Sequence, residues 1–317
     1  MGIRNLNHYL RNNCSDYIKR INVAELSGKS IAIDISIYLY KYDAENALLE
    51  NIYLMLSIFK HYNITPIFIF DGKSPIEKKE LLIKRRCEKE NAKKEYELLQ
   101  EQLEKDVNNK NNILSKMHKL KRQIVQINKT KIENVKSLIR AYGATYYDAH
   151  GEADELCALL VITKKVWACL SEDMDLFVYG CTRVLRYFSI IDHSIVLYYT
   201  KGILNKLNMT QKEFKEICVL SGSDYNINDK EIKLEDTMNY FKKYKLSNEP
   251  CMHFYDWLKQ NNIYHFNIDL LYKITNMFDL DCNTDINIFK NIKIMNGQMN
   301  TKDIQSIMDK EDFIFLS

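Results

Sequence analysis

The sequence predicts an α/β fold: a mostly parallel central sheet flanked by helices, with one basic helical excursion and a helical C-terminal region. Three observations lead there. Short apolar runs rich in β-branched residues, such as SIAID at 30–34 and TPIFIFD at 65–71, have the length and character of buried strands. Amphipathic helical stretches separate them, and buried runs alternating with helices are the pattern of a mostly parallel sheet. One long segment breaks that alternation by its charge.

Residues 30–34 form the first expected strand. A helical stretch follows with Leu48, Ile52, Met55, Leu56 and Phe59 on one face. Residues 65–71 are the second strand. From 73 to about 136 the chain reads as helical and highly charged, with about 18 Lys/Arg against about 10 Asp/Glu. The whole chain carries a net charge of +3, so the remainder is net acidic by about five. ATYYDA at 144–149 is a third, weaker strand. GEADELCALLVITK at 151–164 reads as a helix, with Gly before it, acids in its first turn and then an apolar face. VWACL at 166–170 and RVLRYF at 183–188 are the fourth and fifth strands. After about residue 226 the chain is helical and Asn-rich, with a basic patch at Lys242, Lys243 and Lys245. Two regions are therefore expected: 1–225, which includes the excursion at about 73–136, and a helical region 226–317.

Composition narrows the function classes. With 317 residues and 46% hydrophobic side chains, a sizeable core can form. Only nine Gly and three Pro occur, and neither a linker tract nor an internal repeat divides the chain. The eight Cys form no C-x-x-C pair and no Cys–His group with zinc spacing. Buried, reduced thiols in an intracellular compartment are expected. The N-terminus MGIRNLNHYLRNN has no signal-peptide core, and no stretch is long enough to cross a membrane. Leu6 defeats a myristoylation motif. SGKS at 27–30 is not a phosphate-binding loop, because Val23 stands where that motif needs Gly.

The acids carry the chemistry. Asp34 ends the first strand and Asp71 the second, Glu152 and Asp154 open the helix after the third, and Asp173 and Asp175 follow the fourth. Asp224, in LSGSDYN, follows a further apolar helix. In open α/β sheets ligands bind at the carboxyl ends of the strands, so acids far apart in sequence converge. So many carboxylates together repel and take up protons unless divalent cations neutralise them. An all-oxygen donor set suits Mg²⁺ or Mn²⁺ rather than zinc. Two such ions about 4 Å apart can activate a water and stabilise the leaving oxygen of a phosphodiester. The bland alternative makes each Asp a turn former or helix cap. It accounts for any one of them and poorly for three strand-end sites plus an acid pair at a helix start.

Lys78 and Arg85 lie seven residues apart, so on a helix they share a face. Following Asp71, they can reach a scissile phosphate. The alternative is a solvated charged helix with pairs such as Glu80–Lys84, and beyond about residue 100 that reading is preferred. Tyr38 and Tyr40 share a face on a strand but lie about 200° apart on a helix. Either can stack on a base or pack in the core. Two rival functions are a haloacid-dehalogenase-type phosphatase using Asp173 and Asp175, and a scaffold that binds DNA junctions without cutting. The first leaves Asp34 and Asp71 without a role. Intact acids argue against the second.

Six blocks resemble the flap endonuclease/XPG family of structure-specific 5′ nucleases. MGIRNL at the start, LSGKSIAIDISIYLY at 26–40 and IFIFDGKSPIEKKELLIKRR at 67–86 are similar to its N-terminal nuclease region. YGATYYDAHGEADELCALLV at 142–161, CLSEDMDLFVYG at 169–180 and VLSGSDYN at 219–226 are similar to its internal nuclease region. The blocks run in family order over about two-thirds of the chain, with a likeness to divergent members encoded by large DNA viruses. The resemblance implies a PIN-like nuclease core and hydrolysis of DNA phosphodiesters near single-strand/double-strand junctions or 5′ ends, with two Mg²⁺ ions that Mn²⁺ can replace. It implies metal-site roles for Asp34, Asp71, Glu152, Asp154, Asp173, Asp175 and Asp224, with Asp154 standing where Glu is usual. Asp71, Glu152 and Asp154 would ligate one ion and Asp173 and Asp175 the other, with Asp34 and Asp224 acting mainly through waters. Lys78 and Arg85 match basic residues of the helical arch over the active site, Tyr40 the stacking aromatic, and Gly2 the N-terminal glycine near the metals. A monomer acting inside the cell at sites of DNA replication follows, in the nucleus or, for a viral protein, in host cytoplasm.

Two departures stand out. The family's duplex-binding helix-two-turn-helix is Gly-rich, whereas INDKEIKLEDTMNYFKKY contains no Gly. Lys230, Lys233, Lys242 and Lys243 are then left to touch phosphates by side chains alone. Gln305 has Glu311 and Asp312 where a sliding-clamp box needs aromatics, so docking of that kind is not expected.

Overall fold

The computed structural model describes residues 2–105, 110–225, 233–247, 252–263, 267–280, 292–309 and 313. Its centre is a seven-stranded sheet in the order β1-β7-β6-β5-β2-β3-β4. The strands are β1 Ile18–Asn22, β2 Ser30–Asp34, β3 Thr65–Phe70, β4 Thr145–Asp148, β5 Ala168–Leu170, β6 Arg183–Ser189 and β7 Ser194–Tyr199. The five strands from β6 to β4 are parallel, and β7 and β1 add an antiparallel edge. All five strands expected from the sequence form. The two not expected, β1 and β7, are the antiparallel pair.

The helices are α1 Leu6–Asn13, α2 Ser36–Ala44, α3 Leu48–His61, α4 Lys79–Lys105, α5 Lys110–Ile124, α6 Lys129–Ala141 and α7 Ala153–Ile162. There follow α8 Asp175–Val178, α9 Thr200–Leu207, α10 Gln211–Leu220, α11 Leu234–Leu246, α12 Phe254–Gln260, α13 Ile268–Met277 and α14 Thr301–Met308.

Period-two alternation sorts the strand side chains onto two cores. Ala32, Ile67, Ile69 and Cys169 face one, with α1, α7, α10 and the C-terminal helices α11 to α13. Ile31, Ile33, Phe68, Phe70 and Leu170 face the other, with α3 and α6. On α3 the face foreseen from Leu48, Ile52, Met55, Leu56 and Phe59 is the buried one. The charged excursion becomes a hairpin of α4 and α5 over a small core of Ala92, Leu99, Ile113, Met117 and Leu120. Helix α6 is different: Val135, Leu138 and Ile139 are buried under the sheet. The chain end returns to the same face, where Ile304 and Met308 of α14 join the second core. Gly297 donates to the Gly143 carbonyl at 2.7 Å, an approach that a side chain at Gly143 (φ +75°) would block.

Of the six cysteines described, five are buried free thiols and Cys87 is exposed on α4. Cys251 and Cys282 lie outside the described residues. Among the described residues no helix is long and apolar enough to cross a membrane.

Topology places the site. From β2 the chain moves to β3 and β4 on one side, then crosses back so that β5 and β6 lie on the other. The order in which strands are added thus reverses between the parallel neighbours β2 and β5, and a crevice opens beyond their carboxyl ends.

Candidate active site

The crevice holds the acids. Asp34 is the last residue of β2, and Asp71 follows β3 directly. Glu152 is the residue before α7, and Asp154 lies in its first turn. Asp173 follows β5, and Asp175 begins α8. Asp224 follows α10.

Two serines tie the strand ends together. Ser36 donates its backbone N–H to Asp34 at 3.1 Å and its hydroxyl to Asp71. The Ser171 hydroxyl donates to Asp34 at 2.8 Å and accepts the Asp173 N–H at 3.0 Å. Asp173 in turn accepts the Asp175 N–H at 3.0 Å. The other Asp71 oxygen accepts the Ala153 N–H at 2.8 Å. That bond caps α7 with a carboxylate from another strand and fixes β3 to the helix carrying Asp154.

The tightest group is Asp154, Asp173 and Asp175, whose carboxylate oxygens can lie within 4.8 Å of one another. Asp175 is fully buried, and neither of its oxygens has a hydrogen-bond partner among the described residues. Burial and then the Asp173 charge push its pKa well up. Asp154 is raised by burial and then by Glu152 and Asp173, so it bridges the acids on either side of it. Asp34 is pushed up to about 7 by burial and by Asp71, against the stabilising Ser171 hydrogen bond. A buried carboxylate without partners, such as Asp175, is costly unless a cation supplies the missing charge. An all-oxygen site of this kind fits Mg²⁺ or Mn²⁺.

The cations foreseen on the excursion reach these acids. Lys78, only 6% exposed, contacts both Glu152 oxygens at 2.8 and 2.6 Å. Its ammonium also lies 4.6 Å from the centre of the Tyr225 ring. Burial acts to lower the Lys78 pKa, but Asp154, Glu152 and Asp175 outweigh it and hold the amine charged. Arg85 pairs with Asp224 at 2.8 Å. The Tyr225 hydroxyl donates to Glu152 at 2.8 Å.

Gly2 (φ +74°) packs so closely on Asp173 and Asp175 that an added Cβ would overlap both carboxylates. Tyr40 lies on a helix rather than a strand and is half exposed, whereas Tyr38, on the opposite face, is buried. Lys242 and Lys243 sit exposed on α11, which packs against α1, α10 and α12. Lys233 precedes α11. Lys230 and the Gly-less turn around it lie outside the described residues, as do Glu311 and Asp312.

Several partners were not foreseen from the sequence. Besides Ser36, Ser171 and Tyr225 there is Arg186, a buried residue of β6. It donates to the Glu172 carbonyl at 2.8 Å and to Asn7 Oδ1 at 2.7 Å, and lies 3.3 Å from the Glu172 carboxylate. The loop bearing Asp173 and Asp175 is thereby fastened to α1. An Arg inside the apolar run RVLRYF was the available signal.

Known proteins resemble this chain in sequence and in fold. Residues 1–92 match the XPG N-terminal domain and residues 143–224 the XPG I-region. Flap endonuclease 1 of Glossina morsitans morsitans is 32% identical over 244 residues, spanning 71% of this chain and 61% of the relative. A probable RAD2-like endonuclease, 369L of Invertebrate iridescent virus 6, is 29% identical over 282 residues, spanning 72% of this chain and 68% of the relative. The chain thus spans about three-fifths to two-thirds of the length of these relatives. In fold it is similar to the catalytic core of Rad2 in complex with DNA substrate (TM-score 0.68, 19% identity, 96% and 93% of the two chains). It is also similar to flap endonuclease-1 from Methanococcus jannaschii (TM-score 0.64, 21% identity, 94% and 92%).

Proposed function

The chain belongs to the XPG family, and from that premise we propose that it is a structure-specific 5′ nuclease that hydrolyses DNA phosphodiesters with two divalent ions. Mg²⁺ is the expected ion, and Mn²⁺ can replace it. The observation that carries this reading is the buried Asp175 carboxylate, unpartnered and grouped with Asp154 and Asp173. Bound there, the ions supply positive charge against the phosphate and raise the acidity of an attacking water.

The chain's own residues supply the rest. Asp154, Asp173 and Asp175 offer first contacts for the ions. Asp71 and Glu152 complete one side, and Asp34 and Asp224 hold waters. Ser36 and Ser171 keep the strand-end carboxylates in register, so little reorganisation is left for the reaction. Lys78 and Arg85 already stand on acids that the ions would neutralise. Released from Glu152 and Asp224, they steady the charge that develops on the phosphate. Tyr40, exposed beside β2, offers a ring for an unpaired base. Lys242 and Lys243 offer charge to the duplex backbone.

The DNA would carry a single-strand/double-strand junction or a 5′ end, met inside the cell during replication, repair or recombination. The protein would act as a monomer, with residues 1–225 as the nuclease core and 226–317 as a helical region beside it. The test offers labelled flap, nicked, gapped, blunt and four-way-junction DNA with Mg²⁺, and reads product lengths at single-nucleotide resolution. Cutting near a junction or 5′ end, abolished in Asp173→Ala while DNA binding persists, is the expected result. Unchanged cleavage by Asp173→Ala would overturn the assignment.

A further inference from the structure

Between the start of the chain and the base of α4 lies a cavity of about 170 Å³. It borders the carboxylate group without containing its core. Gly2, Arg4, Lys84, Arg85, Glu88 and Asp224 line it. Three cations therefore face two acids. Arg85 is already paired with Asp224 at 2.8 Å. The side chains of Arg4 and Lys84 are exposed and make no hydrogen bond or ion pair among the described residues. Glu88 is one turn beyond Lys84, so one acid remains against two uncommitted cations.

The root of Arg4 is fixed. Its backbone N–H donates to the Gly222 carbonyl at 3.3 Å, two residues before Asp224. The guanidinium thus starts from the loop that carries a candidate metal-site acid, while Lys84 starts from the helix that carries Arg85. The cavity is smaller than the roughly 300–1,000 Å³ of sites that enclose drug-sized ligands. A whole nucleoside does not fit, whereas a phosphate does. A planar guanidinium fork beside an ammonium is a recurring way to hold phosphate oxygens.

We infer that Arg4 and Lys84 form a second phosphate seat, which takes the DNA phosphodiester neighbouring the one that is cleaved. This rests on the nuclease reading above. The seat would fix how far the strand is drawn past the acids, and so which bond is cut.

The experiment uses flap DNA carrying a single methylphosphonate, moved one position at a time across the cut site. Binding is measured in Ca²⁺ over a range of salt, for wild type and for Arg4→Ala/Lys84→Ala. In the wild type, neutralising one phosphate beside the scissile one should weaken binding several-fold. In the double variant the same substitution should have no further effect, and the slope of log affinity against log salt should shrink by about 1.5 to 2. The Mg²⁺-induced rise in melting temperature should be the same in both, because neither residue touches the acids. A double variant that binds like wild type, or that stays equally sensitive to that one phosphate, overturns the seat. Wild-type protein that cuts DNA alongside such a result leaves the nuclease reading standing. Wild-type protein that neither binds nor cuts DNA removes both.

Discussion

The Lys78 ammonium reaches both carboxylate oxygens of Glu152, at 2.8 and 2.6 Å, from a position almost sealed from solvent. Removing one partner of a buried pair leaves the other charge uncompensated, at a cost of about 3–5 kcal/mol. The Tyr225 hydroxyl still donates to Glu152, which favours the low end of that range. Lys78→Met protein should therefore lose about 3 kcal/mol of stability in urea titrations with chelator present. Mg²⁺ should restore part of it. A variant as stable as wild type under both conditions would show that the pair does not form in solution.

Chelated protein should melt at lower temperature as pH rises. The Asp34 carboxyl has its pKa raised from the ordinary value near 3.8 to about 7 by burial and Asp71. A raised carboxyl means that the folded state holds its proton more tightly than the unfolded state. Its contribution is complete below the unfolded value and is lost as pH climbs through about 7. Asp154 and Asp175 are shifted in the same direction. Melts in chelator from pH 5.5 to pH 8 should fall steadily, and Asp34→Asn should flatten part of the slope. A flat wild-type profile would contradict the burial of these acids.

Gly2→Ala should leave the fold intact and damage the metal response. The new methyl would collide with Asp173 and Asp175, at a backbone angle that L-residues rarely adopt. Disturbing the groups that orient metal ligands typically costs about 10- to 100-fold in affinity. Titrating Mg²⁺ against melting temperature should show a loss in that range. A wild-type titration curve would mean that the N-terminus sits elsewhere.

Arg186→Met should act at a distance from any DNA. The substitution removes the donors that hold the Glu172 carbonyl and Asn7, and leaves the Glu172 carboxylate with the Tyr187 N–H but without its cation. A stability loss of about 3–5 kcal/mol is expected, together with a weaker Mg²⁺-induced rise in melting temperature. Lost stability with an unaltered metal response would mean that Arg186 supports the fold without positioning Asp173 and Asp175.

Asp34, Asp71, Glu152, Asp154, Asp173 and Asp175 were legible because they follow strands or open a helix, which can be read from apolar runs, and Asp224 because it follows an apolar helix. Their tethers were not. Ser36 and Ser171 are ordinary residues after a strand, and they gain a role only where the loops of β2, β3 and β5 meet in space. Tyr38 and Tyr40 were separated only by the family resemblance; the helix after Asp34 buries Tyr38 and leaves Tyr40 at the surface. The edge pair escaped for opposite reasons. SIVLYY of β7 is a plain apolar run of strand length that was passed over, while IKRIN of β1 shows little alternation because it lies at the rim. Lys78 and Arg85 were expected to share a helix face near the acids; Lys78 ends a short 3-10 turn just before α4, and Arg85 lies on α4. That they rest on Glu152 and Asp224 depends on how the whole hairpin closes over the sheet, which no local pattern encodes.

The strand order has a consequence for the timing of synthesis. Asp34, Asp71, Asp154 and Asp173 come from four separate crossovers, and the crevice forms only once β5 has slotted in beside β2. A nascent chain that stops before residue 170 holds at most four of the seven carboxylates, on an open sheet edge, and lacks the rest. The seven candidate site acids are therefore together only once the polypeptide is past its midpoint and the last of them, Asp224, has cleared the exit.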